Sequence, residues 1–392
     1  MKARAVTLVA ALVMAGCMLS RYAVAASGTH AEPFGASPQW QASQAVQADR
    51  QGRVYLLRSD TIEVYPVLKN GQLDKPIKLE AAGPLDGPML DAAMGDGPGD
   101  WLIRMPTGLR WFVNGKEKTL PPLPWQPQSV GYLRGAPVVG VTPRPAPVNG
   151  ILIIKKNEEL PATAPAVLSL SGDRWSTLVE EAWPDKRDSA SLLEGCARSI
   201  LGDRTGKLWT ARNYAYVLDR YSPAGRRLMQ IVVEKGRVAH REEKDVGIPS
   251  EIPAADRAHF HPFLGVLKVA DLTEGPDRRI YLAAQGGKGL ELDRFDPVDS
   301  SLERVELGLQ VPGFLSMAAG RDALYVAAPT GDHGRWRISW DELDQANWKR
   351  VPIEDGGSLG RAPETGSKAP TSTQPPAVKA KAASKPPTGS GD

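Results

Sequence analysis

Two histidines one residue apart, His259 and His261, come closest to a metal-binding pattern in this chain. On a strand, alternate side chains share a face, so both imidazoles could hold one zinc-like ion. His240, Glu251 or Asp256 could add a third ligand, although no spacing fixes one. The alternative is a solvated loop with two unrelated histidines. Other catalytic patterns are missing: there is no G-x-S-x-G, H-E-x-x-H, P-loop or C-x-x-C. Cys196 is the one cysteine of the body and reads as a small buried hydrophobe. Tryptophan is abundant, 10 against 6 phenylalanines. Trp111, Trp125 and Trp183 are candidates for ligand stacking at loops. Trp101, Trp209 and Trp336 lie within strand patterns and are expected to fill the core.

These residues need a frame, and the composition restricts it. Glycine and proline number 39 and 34 of 392 residues, which argues against a helical bundle. A phrase recurs along the chain. Asp49-Arg-Gln-Gly-Arg-Val-Tyr55 precedes Ile62-Glu-Val-Tyr-Pro66. Asp203-Arg-Thr-Gly-Lys-Leu-Trp209 precedes Leu218-Asp-Arg-Tyr-Ser-Pro223. Asp277-Arg-Arg-Ile-Tyr281 precedes Leu292-Asp-Arg-Phe-Asp-Pro297. From the second copy to the third, Asp203 to Asp277 and Leu218 to Leu292 are both displacements of 74. Weaker copies start at Gly95, Leu133 and Gly320.

Each copy reads as a turn followed by strands. Aspartate bonds the backbone two residues on, and glycine supplies a positive φ. The following residues alternate with period two, and a proline closes the second strand. Such a small sheet cannot bury both faces alone, but sheets stacked around an axis can. The expected fold is all-β, a β-propeller of six four-stranded blades.

The Asp-x-x-Gly-x-Leu-Trp and Tyr-Ser-Pro-Ala-Gly phrases at 203–225 resemble secreted six-bladed propellers of the NHL type. That resemblance implies a fold and an axial channel, not an activity. Leu193-Glu194-Gly195 is similar to the opening of the six-bladed gluconolactonase family. Enzymes of that family hold a divalent ion on the axis through Glu, Asn and Asp side chains. The likeness implies an axial role for Glu194, and Asn213 is the asparagine best placed to join it. The chain departs from that pattern at Cys196-Ala-Arg and at Leu208-Trp-Thr-Ala-Arg.

The two ends differ from the body. Lys2 and Arg4, an apolar run from Ala5 to Leu19, and Ala23-Val-Ala25 form a signal peptide over 1–26. Met14-Ala-Gly-Cys17 resembles a lipobox, giving the alternative of a lipoprotein signal over 1–16 with acylation at Cys17. Residues 27–35 read as a linker and 36–355 as the propeller, with an inserted loop at about 234–262. Residues 356–392 are rich in Pro, Ala, Ser and Lys and lack aromatics, so a disordered tail is expected. The net charge of +3 comprises +3 in 1–26 and +3 in 356–392, leaving −3 on the body. A mildly acidic body gives no support to nucleic-acid binding.

The expectation for function is an exported, non-enzymatic scaffold of the cell envelope that binds a protein, peptide or glycan. It needs no cofactor, and it meets a membrane only if Cys17 is acylated. The alternatives are a metal-dependent hydrolase or lactonase with its site on the axis, which would need a divalent metal, and an envelope-assembly lipoprotein.

Overall fold

The computed structural model describes residues 30–35, 44–83, 87–123, 125–142, 152–153, 163–182, 198–213, 216–233, 260–261, 269–286, 289–309, 315–328 and 334–355. The segments read as signal and tail, and nearly all of the insertion at 234–262, lie outside them. Among the described residues, six antiparallel sheets form the blades of a propeller.

Blade 1 comprises Gln44–Ala48, Val54–Arg58, Glu63–Val67 and Ile77–Lys78. Blade 2 comprises Asp91–Met94, Trp101–Met105, Gly108–Val113 and Lys116–Lys118. Blade 3 holds Gln126–Leu133, Ala136–Thr142, Thr163–Ser171 and Arg174–Ala182. Blade 4 holds Arg198–Gly202, Leu208–Arg212, Val217–Tyr221 and Arg227–Val232. Blade 5 runs through Val269–Glu274, Ile280–Gly286, Gly289–Asp296 and Ser301–Glu306. Blade 6 takes Ser316–Ala319, Ala323–Ala327 and Arg335–Ser339 from the end of the chain. Its outer strand is Glu32–Pro33, paired with Arg337 and Trp336. The segment read as a linker thus closes the ring. Lys349–Arg350 and Glu354–Asp355 add fifth strands to blades 5 and 4.

The first strand of each blade is innermost, and these six strands neighbour one another in a closed cycle. The six sequence landmarks all fall at the connection between first and second strands. Asp49 Oδ1 accepts the N–H groups of Gln51 and Arg53, each at 2.9 Å. Asp203 Oδ1 accepts those of Thr205 and Lys207 at 2.9 and 2.8 Å. Gly52 and Gly206 take φ of 72° and 75°, where a side chain would be strained.

The core is six wedges, one between each pair of adjacent blades. Five blades place an aromatic residue among the first three positions of the second strand: Tyr55, Trp101, Trp209, Tyr281 and Tyr325. Each reaches a wedge, as Trp209 does against Phe295 of blade 5 at 5.9 Å between ring centroids. The expected core role of Trp101 and Trp209 is what the structure shows, and Trp336 packs half-buried against its wedge. One short helix, Trp340–Gln345, follows blade 6 with a capping box between Ser339 and Glu342.

Candidate functional site

The axis is lined by the open edges of the six inner strands, whose backbone groups need partners. Side chains from the preceding blade supply them at five of six junctions. Ser316 Oγ of blade 6 accepts the N–H of Val46 at 3.0 Å and donates to its carbonyl at 2.9 Å. Gln47 Nε2 of blade 1 donates to the carbonyl of Ala92 at 3.2 Å. Asp91 Oδ2 of blade 2 accepts the N–H of Val130 at 2.9 Å. Ser199 Oγ of blade 4 donates to the carbonyl of Ala270 at 3.4 Å. Asp271 Oδ2 of blade 5 accepts the N–H of Met317 at 2.7 Å.

The two axial aspartates come from blades 2 and 5, opposite each other in a ring of six. Burial pushes the Asp271 carboxyl up, Asp91's charge adds to the effect, and the result is about 8. Asp91 is also raised by burial, with Arg104's charge opposing. Their other oxygens accept the N–H groups of Ala92 and Leu272. Both carboxyls therefore serve the backbone, and one is neutral at pH 7. A hard cation wants several free anionic or amide oxygens. Among the described residues no group of three His, Cys, Asp or Glu side chains could hold a metal ion.

Asn213, which the lactonase likeness placed at the axis, is engaged through its Nδ2 between two blades. It is 2% exposed, and its Nδ2 donates to Ser199 Oγ at 3.0 Å and to the carbonyl of Val269 at 2.8 Å. It locks blade 4 to blade 5. Glu194, Trp183, His259 and Cys17 lie outside the described residues. His261 is on a two-residue strand, Phe260–His261, that pairs with Leu152–Ile153.

Trp111 lies on the third strand of blade 2, opposite Leu102 and Lys118, half-buried in the wedge between blades 2 and 3. Trp125 lies in the connection that crosses from blade 2 to blade 3. There it helps line a cleft of about 330 Å³. Pro106, Leu109, Pro121, Leu123 and Trp175 form half of the remaining wall, and the polar Thr107 and Gln126 stand in the other half. The indole N–H of Trp175 donates to the carbonyl of Pro121 at 3.1 Å, which fixes the connection over the blade. The Trp125 indole N–H meets no acceptor among the described residues. No lining residue carries a charge.

Sequence reasoning singled out Trp125 for its place in a connection, and did not single out Trp175, Asp91 or Asp271. A signal for the aspartates exists. Asp91, Ser199 and Asp271 each stand ten residues before the landmark aromatic of their blade, Trp101, Trp209 and Tyr281.

No family model and no curated protein matches the chain. Solved structures similar to it include a streptogramin B lyase, 13% identical, with a TM-score of 0.44 over 79% of this chain and 97% of that one. A virginiamycin B lyase from Staphylococcus aureus is 12% identical, with a TM-score of 0.40 over 75% and 79%. A structural-genomics protein of unknown function from Bacteroides thetaiotaomicron is 9% identical, with a TM-score of 0.45 over 80% and 72%. None of these three reaches 0.5, and the assignment as a six-bladed β-propeller stands on the strand order itself.

Proposed function

We propose that the protein is an exported, non-enzymatic propeller that binds a protein or peptide of the cell envelope through the cleft between blades 2 and 3. The signal at 1–26 supports export, with the lipoprotein route through Cys17 as the variant. The observation that carries the binding reading is that Trp125 and Trp175 both line one uncharged, half-exposed cleft. Large rings held by a rigid scaffold give contact area at low entropic cost. A glycan would ask for several side-chain donors and acceptors, and the lining offers Thr107 and Gln126. The axial aspartates are engaged in joining blades, which favours a scaffold over a hydrolytic centre.

The test is selection from a random peptide display library and from a glycan array, with W125A/W175A as control. Peptides retained by the wild-type chain and lost by the variant support the reading. Retention of glycans alone, or of peptides to the same extent by both proteins, overturns it.

A further inference from the structure

We infer that the face formed by the turns between first and second strands rests on an anionic lipid surface. This goes beyond the cleft reading and concerns a different part of the molecule.

The six turns close the same end of the six inner strands, so they form one face around the axis. Five of them carry an exposed arginine: Arg50, Arg134, Arg204, Arg278 and Arg321, from blades 1, 3, 4, 5 and 6. Blade 2 has Asp96 there. Asp49 and Asp203 are buried and accept their own turns' N–H groups, and Asp322 pairs with Arg337. Over 49–53, 95–100, 134–135, 203–207, 275–279 and 320–322 the turns carry a net +2, on a body of −3. Arg50 meets Asp96 at 3.2 Å and Arg278 meets Glu274 at 3.1 Å. Arg134, Arg204 and Arg321 meet no carboxylate among the described residues.

Three observations select a lipid surface. The first is arrangement. Arg321 Nε donates to the carbonyl of Gln51 on the next blade, and Arg134 lies over Gly206 on the next blade. The side chains follow the circumference instead of converging on the axis, which suits many anions in a plane better than one small anion. The planar guanidinium also matches phosphate oxygens. The second is the lack of an apolar anchor. No large apolar side chain is exposed among the described residues of these turns, whereas protein interfaces depend on such anchors. The third is the direction of the chain. Glu32–Pro33 runs antiparallel to Arg335–Ser339, and Ser339 pairs with Ala323 beside the turn of blade 6. The chain therefore reaches Glu32 from the arginine face, where His30 lies 3.8 Å from Glu342. Acylation at Cys17 would bring its lipid to that side, and without it charge alone holds the face to the surface.

The probe is vesicles of phosphatidylcholine with about one-third phosphatidylglycerol, against phosphatidylcholine alone, sedimented with the mature, unacylated chain. The expected result is capture by the anionic vesicles only, lost as salt rises from about 0.05 M to about 0.5 M. Arg134→Gln and Arg204→Gln are each expected to weaken partitioning about fivefold, for one surface charge. Lys78 lies opposite Glu63, at the other end of blade 1, and Lys78→Gln is expected to leave partitioning unchanged. No capture by anionic vesicles, equal capture by both kinds, or anionic capture that neither arginine variant weakens overturns the inference. An equal loss in Lys78→Gln does the same. Binding to soluble polyglutamate that needs both arginines, without capture by vesicles, overturns it in favour of an acidic protein.

Discussion

Asp91 and Asp271 stand three blades apart on the inner strands, and each accepts the N–H that opens the edge of the next blade, from Val130 and Met317. The same two carboxyls that tie the ring together also burden it with charge, since Asp91 helps to raise Asp271 to about 8.

A pH dependence of stability follows. The unfolded Asp271 loses its proton near pH 4, while the folded one keeps it up to about pH 8. Between those values the folded state holds more protons than the unfolded, so stability falls as pH rises, with a slope approaching 1.4 kcal/mol per unit. Urea unfolding from pH 5 to pH 8 is expected to show that decline. Asp271→Asn removes the titrating group and is expected to flatten the decline, while losing one of the two backbone bonds, because its Nδ2 cannot accept from Leu272 or Met317.

Asp293 makes a second test. It is fully buried in blade 5, where Arg304 donates to it at 2.7 and 2.8 Å and Tyr216 of blade 4 donates its hydroxyl. Burial and the charge of Asp293 hold the Tyr216 hydroxyl protonated, so it always donates. Tyr216→Phe is expected to cost about 1–3 kcal/mol, for one lost bond to a buried anion. Arg304→Met leaves the carboxylate uncompensated and is expected to cost more, about 3–5 kcal/mol. Chemical unfolding of both variants gives the order.

Tryptophans at the two kinds of site should separate. Trp209 is 1% exposed in the wedge between blades 4 and 5, and Trp209→Ala is expected to cost about 3–5 kcal/mol. Trp125 is half-exposed over the cleft, and Trp125→Ala is expected to cost under about 1 kcal/mol of stability while removing binding. Comparing midpoints of urea unfolding for the two variants checks this.

The mature N-terminus distinguishes the two proposed export routes. Mass spectrometry of the protein from its native host is expected to show a start at Ala26 or Ser27. An acylated Cys17 start would place it among lipoproteins instead.

The sequence made the blades legible because turns write themselves locally. Asp49 and Asp203 bind backbone N–H groups two and four residues on, and such a pattern survives without tertiary context. The displacement of 74 was right for one landmark and shifted for the other. Asp219 and Asp293 occupy equivalent places on the third strands of their blades. The turns instead match Asp203 to Gly275, which bond Lys207 and Arg279 in the same way, a displacement of 72. Arg278, at φ 69°, stands there in place of a glycine, so blade 5 lost the turn signature that blade 4 keeps. The cleft was legible by half. Trp125 falls in a connection and draws notice, but Trp175 begins a regular strand, and only folding brings it under Pro121. Closure by Glu32–Pro33 was hidden because two residues carry no period.

The most direct test of the account is the indole N–H spectrum of the full chain, with its 10 tryptophans. The resonance that vanishes in Trp125→Phe belongs to Trp125. On adding peptides enriched by the wild-type protein, that signal is predicted to shift and saturate while the Trp209 signal stays fixed. Saturable binding that leaves the Trp125 signal unmoved would contradict the assignment of function to the cleft between blades 2 and 3.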